Sequence, residues 1–179
     1  MKPEFNFIVD IRRPQSRGLD LIVKYDKVSQ VAIVVRDLRK SMKHYWEELG
    51  IGPWKIWNFT PSNTREMTLH GMPDKHSFRI AEAMVGDLSI ELIEHLEGKT
   101  IYKEFLDKKG ESLHHLKYTV QNPEAIVEKF RKAGIEVTQS GKVGKGSYYY
   151  LDTESKLGFT LELATGEPAR PPDEIYPPE

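Results

Sequence analysis

The sequence predicts an α+β fold made of two paired β-α-β-β-β modules whose strands form one curved sheet around a central cleft, and three observations lead there. First, Val28-Ser29-Gln30-Val31-Ala32-Ile33-Val34-Val35 is restated by Leu113-His114-His115-Leu116-Lys117-Tyr118-Thr119-Val120, which sets Gln30 and His115 85 positions apart (115 − 30). Second, each copy runs from a strand into an amphipathic helix and a Gly-Ile pair, Gly50-Ile51 and then Gly134-Ile135, at an offset of 84 (134 − 50). Third, each copy closes on an acidic residue between apolar neighbours, Ser89-Ile90-Glu91-Leu92 and Thr160-Leu161-Glu162-Leu163. A repeated unit that cannot bury its own apolar face does so against its twin. The join between the twins is therefore where a site is expected.

Bulk properties narrow the function classes. A chain of 179 residues can bury a core large enough to do without disulfides or a structural metal. With 26 Lys+Arg against 27 Asp+Glu, the formal net charge of −1 offers no long-range attraction to nucleic acid or to an anionic membrane. Small molecules are the expected ligands. The lack of cysteine excludes a disulfide framework, a thiolate metal site and a thiol nucleophile, and fits a reducing compartment. No apolar run is long enough for a secretory signal or a membrane span, so a soluble cytoplasmic protein is expected.

Residues 1–26 lie outside the repeat and read as an N-terminal arm, with the turn-rich segment Arg12-Arg13-Pro14-Gln15-Ser16-Arg17-Gly18 between short apolar runs. The first module spans 27–98. Its opening strand puts Val31, Ile33 and Val35 on one face and Gln30, Ala32 and Val34 on the other. Asp37 is the N-cap of a helix whose apolar stripe is Leu38, Met42, Tyr45, Trp46 and Leu49, and Gly50 ends it. Trp54 to Phe59 reads as a strand, Thr60 to Ser77 as a long, lid-like loop, and Phe78 to Val85 and Leu88 to Ile93 as two more strands. A helix over 99–110 links the modules, burying Ile101, Tyr102, Phe105 and Leu106.

The second module spans 111–166. Alternation places His115, Lys117 and Thr119 on one face of its first strand and His114, Leu116, Tyr118 and Val120 on the other. Asn122-Pro123 opens a helix as N-cap and first residue, with Ile126, Phe130 and Ala133 buried. Strands over Val137 to Ser140, Ser147 to Asp152 and Gly158 to Leu163 complete the module. A Pro-rich tail over 167–179 is expected to run extended along the surface.

Gln30 and His115 occupy equivalent places on the opening strands, and Glu91 and Glu162 on the closing ones. Any one of them alone could sit on a solvated face, but a pseudo-two-fold pairing of the modules brings all four together. One imidazole nitrogen, two carboxylates and an amide oxygen suit Zn²⁺, Ni²⁺, Co²⁺, Mn²⁺ or Fe²⁺. Two buried carboxylates facing each other without a cation would repel and take up protons.

From about Val28 to Ala164 the sequence resembles the vicinal oxygen chelate superfamily, which includes glyoxalase I, methylmalonyl-CoA epimerase, extradiol dioxygenases and bleomycin-resistance proteins. The resemblance rests on Val28 to Leu38, Gly50-Ile51-Gly52-Pro53-Trp54, Ile90-Glu91-Leu92, Gly110 to Leu116 and Gly158-Phe159-Thr160-Leu161-Glu162-Leu163. It implies one divalent metal held by Gln30, Glu91, His115 and Glu162, a small carbonyl or thioester substrate, and a cleft closed within one chain or by a homodimer. It further implies proton transfer next to a carbonyl through an enolate, with Glu162 as the base and Glu91 as its partner on the opposite face. The ligand set is similar to that of zinc-type glyoxalases, and the surroundings of His114-His115 to those of methylmalonyl-CoA epimerase. Gln30 stands where a dioxygenase has a histidine, which argues against oxygen activation. The alternative is a non-enzymatic small-molecule binder like the bleomycin-resistance proteins.

The remaining candidates are assigned structural roles. Gly141-Lys142-Val143-Gly144-Lys145-Gly146 reads as a turn without phosphate-loop spacing. His44 is expected on the exposed side of its helix, His70 and His76 solvated in the long loop, His95 peripheral and His114 packed. Trp57, Phe59 and Tyr149 could line the cleft or the core.

Overall fold

Asp37 and Gly50 bound the first helix as expected in a computed structural model that describes residues 27–165 and 170–177. The arm over 1–26 and part of the tail lie outside the described residues. β1 (Gln30–Val35) leads into α1 (Leu38–Leu49), where the Asp37 side chain accepts from the Lys40 N–H at 2.9 Å and Gly50 takes the left-handed conformation at φ 66°. The module continues through β2 (Trp54–Phe59), β3 (Arg65–Leu69), β4 (Met72–Pro73), β5 (Ser77–Val85) and β6 (Leu88–Glu97). After α2 (Ile101–Lys109) come β7 (Ser112–Thr119), α3 (Pro123–Lys132), β8 (Val137–Val143), β9 (Gly146–Leu151), α4 (Glu154–Leu157), β10 (Thr160–Ala164) and β11 (Glu174–Tyr176).

The eleven strands form one sheet in the order β11-β2-β5-β6-β1-β7-β10-β9-β8-β3-β4. The modules join through their opening strands, β1 and β7 running antiparallel, while each opening strand pairs in parallel with its own module's closing strand. The ladder is thus continuous across the repeat.

Alternation assigns the two faces. Leu38 and Met42 of α1 pack on Val35, Trp54, Ile56, Ala81 and Leu92, covering the outer face of module one. Val127 and Phe130 of α3 do the same for module two against Val137, Leu151, Leu161 and Leu163. Fully burying a Leu or Met side chain contributes about 1.5–3 kcal/mol, so these two helices clamp the modules independently. The α1 stripe is narrower than expected, because Trp46 and Leu49 remain 38% and 65% exposed. In α3 the inward residue is Val127 in place of Ala133. On the inner face α2 inserts Ile101, Tyr102, Phe105 and Leu106 against Ala32, Val34, Phe78, Ile80 and Ile93. It plugs one end of the cleft.

The segment expected to be a lid-like loop instead carries two strands. β3 leaves module one and pairs antiparallel with β8, the edge of module two, and β4 folds back on β3 as a short hairpin. Only 60–64 separates β2 from β3, and it is a self-contained turn. There the Thr64 N–H donates to the Thr60 carbonyl at 2.9 Å, the Thr60 N–H to Asn63 Oδ1 at 3.0 Å, and Asn63 Nδ2 to the Asn58 carbonyl at 2.9 Å. Its polar residues satisfy themselves locally, which is why the composition reads as loop. β3 is hard to see because its side chains alternate only weakly and its partner strand is distant in sequence.

β8 likewise runs three residues further than expected, through Gly141, Lys142 and Val143, which leaves Gly144-Lys145 as the turn. The described part of the tail pairs as β11 with β2. The Trp57 indole N–H donates to the Arg170 carbonyl at 3.0 Å, Arg170 Nη2 donates to the Asn58 carbonyl at 2.8 Å, and the Arg170 guanidinium pairs with Asp173.

Candidate functional site

Two neighbouring rows across the inner face build the site. In one, Glu82 lies opposite Glu91, Glu91 beside Ala32, Ala32 beside His115, and His115 beside Thr160. In the next, Gln30 lies beside Lys117, Lys117 beside Glu162, and Glu162 beside Tyr150. Ala32 contributes only a methyl group between Glu91 and His115, so their side chains meet above it. Gln30, Glu91, His115 and Glu162 are all buried, at 0%, 5%, 0% and 5% exposure. The structure brings these four sequence-predicted residues together.

His115 Nε2 stands 3.0 Å from Glu162 Oε2 and 3.4 Å from Glu91 Oε2. Gln30 Nε2 donates to Glu82 Oε1 at 2.7 Å and to Glu91 Oε1 at 3.3 Å, which leaves the amide oxygen free. The imidazole and the carboxylates are close without being aligned for hydrogen bonds. Gln30 Oε1, Glu91 Oε2, His115 Nε2 and Glu162 Oε2 are each buried without a hydrogen-bond partner among the described residues. Burying such groups unpaired is costly, and a cation would satisfy all four. Among the described residues no three His, Asp or Glu groups are already spread into coordination geometry. In this arrangement His115 Nε2 occupies the space between the carboxylates. The donor chemistry therefore fits a divalent ion, while the geometry is that of a compact ion-pair cluster.

The electrostatics follow from burial among carboxylates. Burial raises the Glu91 carboxyl despite the opposing pull of His115. Burial alone would lower His115, but the charge of Glu162 and its proximity, together with Glu91, push it up to about 9. Lys117 also overcomes burial, through Glu162, Glu82 and Glu91, and is raised. Its Nζ lies 3.8 Å from Glu82 Oε1.

His114 departs from the alternation expected of β7. The β1–β7 register passes from Ala32–His115 directly to Ile33–Leu113, a β-bulge that turns His114 to the same side as His115. His114 is buried, as expected, but packs edge-on against Phe105 and Tyr102 of α2, with centroids 4.9 and 5.4 Å away, and not beside Leu116 and Tyr118. Its Nδ1 is 3.0 Å from His115 Nδ1. Burial lowers His114 strongly and keeps it neutral, so it accepts from the His115 Nδ1–H. That contact fixes the His115 ring with Nε2 toward the carboxylates.

Other histidines divide as their surroundings dictate. His44 and His70 are exposed and paired with Glu48 and Glu104, and half-buried His95 meets Thr100. His76, expected to be solvated, is buried, its ring 6.1 Å from that of Phe78 and its Nδ1 3.9 Å from Asp74.

The open end of the inner face is a cleft of about 200 Å³. Trp57 and Phe59 line it, as does Arg170, together with Glu82, Lys117 and Tyr148 beside the acidic pair. Tyr149, offered as a cleft aromatic by the sequence, faces the outer layer and donates to Glu124 at 3.0 Å. Its neighbours Tyr148 and Tyr150 take the cleft instead. Sequence reasoning passed over Glu82 and Tyr148. Strand alternation from Glu91 through the tight β5–β6 hairpin could have flagged Glu82, whereas nothing in Tyr148-Tyr149-Tyr150 alone says which rings face inward.

Residues 29–151 match the family model described as glyoxalase/bleomycin resistance protein/dioxygenase superfamily. The chain belongs to that superfamily. Among solved structures, methylmalonyl-CoA epimerase from Mycobacterium tuberculosis is similar at TM-score 0.62 and 19% identity, over 85% of this chain and 95% of that one. A hypothetical protein from Bacillus halodurans is similar at 0.60 and 20% identity, over 79% and 95%. A variant Streptomyces coelicolor methylmalonyl-CoA epimerase in complex with 2-nitronate-propionyl-CoA is similar at 0.58 and 16%, over 79% and 95%. At these identities the likeness is one of fold. No curated protein matches by sequence. Among the described residues no helix is long and apolar enough to cross a membrane.

Before the closing strand, Asp152-Thr153-Glu154-Ser155-Lys156-Leu157-Gly158 forms the turn, and Thr153 holds it. Its buried hydroxyl donates to the Phe159 carbonyl at 3.0 Å and accepts from the Leu161 N–H at 2.8 Å, closing α4 back onto β10. Glu162 follows one residue later, so this clasp sets where the carboxylate emerges.

Proposed function

We propose that the protein is a divalent-metal-dependent isomerase or lyase of the glyoxalase and epimerase type, transferring a proton next to the carbonyl of a small carbonyl compound or thioester. The observation that carries this reading is the set of four buried donor atoms without partners among the described residues, one each from Gln30, Glu91, His115 and Glu162, of which Glu91 and Glu162 line the cleft. Membership of the superfamily and the fold shared with methylmalonyl-CoA epimerases support it.

These four residues would hold Zn²⁺, Ni²⁺, Co²⁺, Mn²⁺ or Fe²⁺. Such an ion, when bound, supplies stabilisation of negative charge developing on the substrate oxygen. Glu162 is the base that takes the proton from the adjacent carbon, and Glu91 is its counterpart on the other face. His114 keeps His115 Nε2 turned inward. Glu82 holds the Gln30 amide by its nitrogen and so presents the oxygen. Lys117 offsets the third carboxylate, since Glu82, Glu91 and Glu162 together carry more negative charge than a divalent ion neutralises. Trp57 and Phe59 exclude water from the wall.

The positioning role of Glu82 has a measurable consequence. Glu82→Gln, which can offer its own N–H and let the Gln30 amide turn, is expected to weaken Zn²⁺ affinity by about 10-fold in calorimetric titration. Unchanged affinity would show that the amide needs no such partner.

The reading as a whole is tested by metal analysis of protein purified without added metal and then loaded with Zn²⁺, Ni²⁺ or Co²⁺, followed by two assays. One measures solvent-deuterium incorporation into methylmalonyl-CoA and the other turnover of the hemithioacetal of methylglyoxal. Stoichiometric metal with activity in either assay is expected. Failure to bind any of the ions would overturn the reading in favour of a binding protein.

A further inference from the structure

Three phenols pack together behind the cleft wall, which Tyr148 and Tyr150 line, and one of them is left over. Tyr102 and Tyr150 satisfy each other, their hydroxyls 2.8 Å apart. Tyr148 is 9% exposed, stacked edge-on to Phe78 at 6.2 Å and tilted against Tyr150 at 5.7 Å, and its hydroxyl has no partner among the described residues. It lines the same cleft as Glu162.

The seat of this ring is specific. Gly141 faces Tyr148 across the β8–β9 ladder, and a Cβ at Gly141 would overlap the Tyr148 hydroxyl. The backbone of Gly141 is not left-handed, so the missing side chain answers to the space the phenol occupies. Burial, reinforced by the charge of Glu162, pushes the phenol upward and keeps it a protonated donor. The hydroxyl thus lies buried over β8 with no acceptor among the described residues, on a ring that lines the cleft it shares with Glu162, and it stays unsatisfied until an acceptor reaches it.

We infer that Tyr148 is a further catalytic residue, whose hydroxyl donates a hydrogen bond to the substrate oxygen that becomes anionic when the neighbouring C–H bond is broken. The inference rests on the proton-transfer reading above. In that step Glu162 takes the proton, the C–H electron pair forms the carbon–carbon double bond, and the carbonyl π pair moves onto the oxygen. Tyr148 keeps its proton throughout. Returning the proton to carbon restores the carbonyl and frees Glu162. The occupant of the site is accordingly a carbonyl or thioester oxygen, not a second metal or a phosphate.

The test compares wild type with Tyr148→Phe and Gly141→Ala, all loaded with Zn²⁺, in the two assays named above. Tyr148→Phe is expected to lower kcat by about 100-fold with KM changed by no more than about 3-fold, and with metal content and Tm unchanged. In the methylmalonyl-CoA arm it is also expected to weaken binding of the enolate-like 2-nitronate-propionyl-CoA far more than binding of methylmalonyl-CoA, a difference that a purely structural role would not produce. Gly141→Ala, which retains the phenol but displaces it, is expected to lose kcat in the same direction. If wild type is active and Tyr148→Phe matches it, the inference is overturned and the proton-transfer reading stands. If metal-loaded wild type is inactive on both substrates, the reading itself falls and the inference with it.

Discussion

Glu162→Gln is expected to lower solvent-deuterium exchange at the substrate carbon by at least about 100-fold, the lower range of what a positioned general base supplies. The side chain sits on β10 at 5% exposure, with Oε2 3.0 Å from His115 Nε2 and otherwise without a partner. Glutamine keeps the volume and an oxygen for coordination but cannot take a proton. Loss of exchange with retained metal therefore separates the base function from the ligand function, where Glu162→Ala would remove both and leave His115 beside an empty space. The measurement is deuterium incorporation by mass spectrometry, paired with metal analysis of the same preparation. Exchange at the wild-type rate in a metal-replete Glu162→Gln protein would remove Glu162 from the chemistry.

The second large effect concerns stability. In metal-free protein His115 titrates at about 9 against an ordinary 6.5, and burial raises Glu91 above its ordinary 4.5. Both folded-state values lie above the unfolded ones, so the folded protein holds these protons more tightly than the unfolded chain. The stability contributed by His115 is fully present below about pH 6.5 and is lost as pH rises through about 9. Glu91 acts with the same sign from a lower starting pH. His114, lowered by burial, costs stability only as pH falls below its ordinary value and does not enter this window.

Metal-free protein is therefore expected to lose on the order of 3 kcal/mol between pH 6.5 and 9, a fall in Tm of roughly 6–12 °C for a chain of this size. Zn²⁺ should reverse the slope, because binding requires the deprotonated imidazole and carboxylates and so tightens as pH rises. Thermal melts across this range, with chelator and with Zn²⁺, test both halves. A metal-free Tm that is flat or rises with pH would contradict the ion-pair account of the cluster.

How far the sequence could be read depended on whether a signal was local. Caps were legible because they are chemistry between near neighbours, as at Asp37 with Lys40 or Asn122 with Ala125. The placement of Gln30, Glu91, His115 and Glu162 on inner faces was legible because a duplicated module carries its own internal standard. Alternation failed at His114, where one bulged residue reversed the side on which the ring lies. It also could not choose among Tyr148, Tyr149 and Tyr150, since three adjacent aromatics have no phase. Strand β3 was missed for a different reason. Its hydrogen-bond partner β8 lies across the repeat boundary, and no pattern within 60–77 encodes that meeting.

That crossing has a geometric consequence. Strands β2 and β3 sit near opposite ends of the eleven-strand order, yet the chain passes between them through residues 60–64. Fully extended, the steps from Phe59 to Arg65 span only about 20 Å, and the self-bonded turn shortens that reach. The sheet must therefore bend until its two flanks face each other, and a covalent hoop holds them there. Module one is thereby threaded onto the far margin of module two, so severing the chain at the linking helix would strip β8 of its neighbour and bare an edge suited to aggregation. The girth of the cleft is set by backbone length and not by side-chain packing alone.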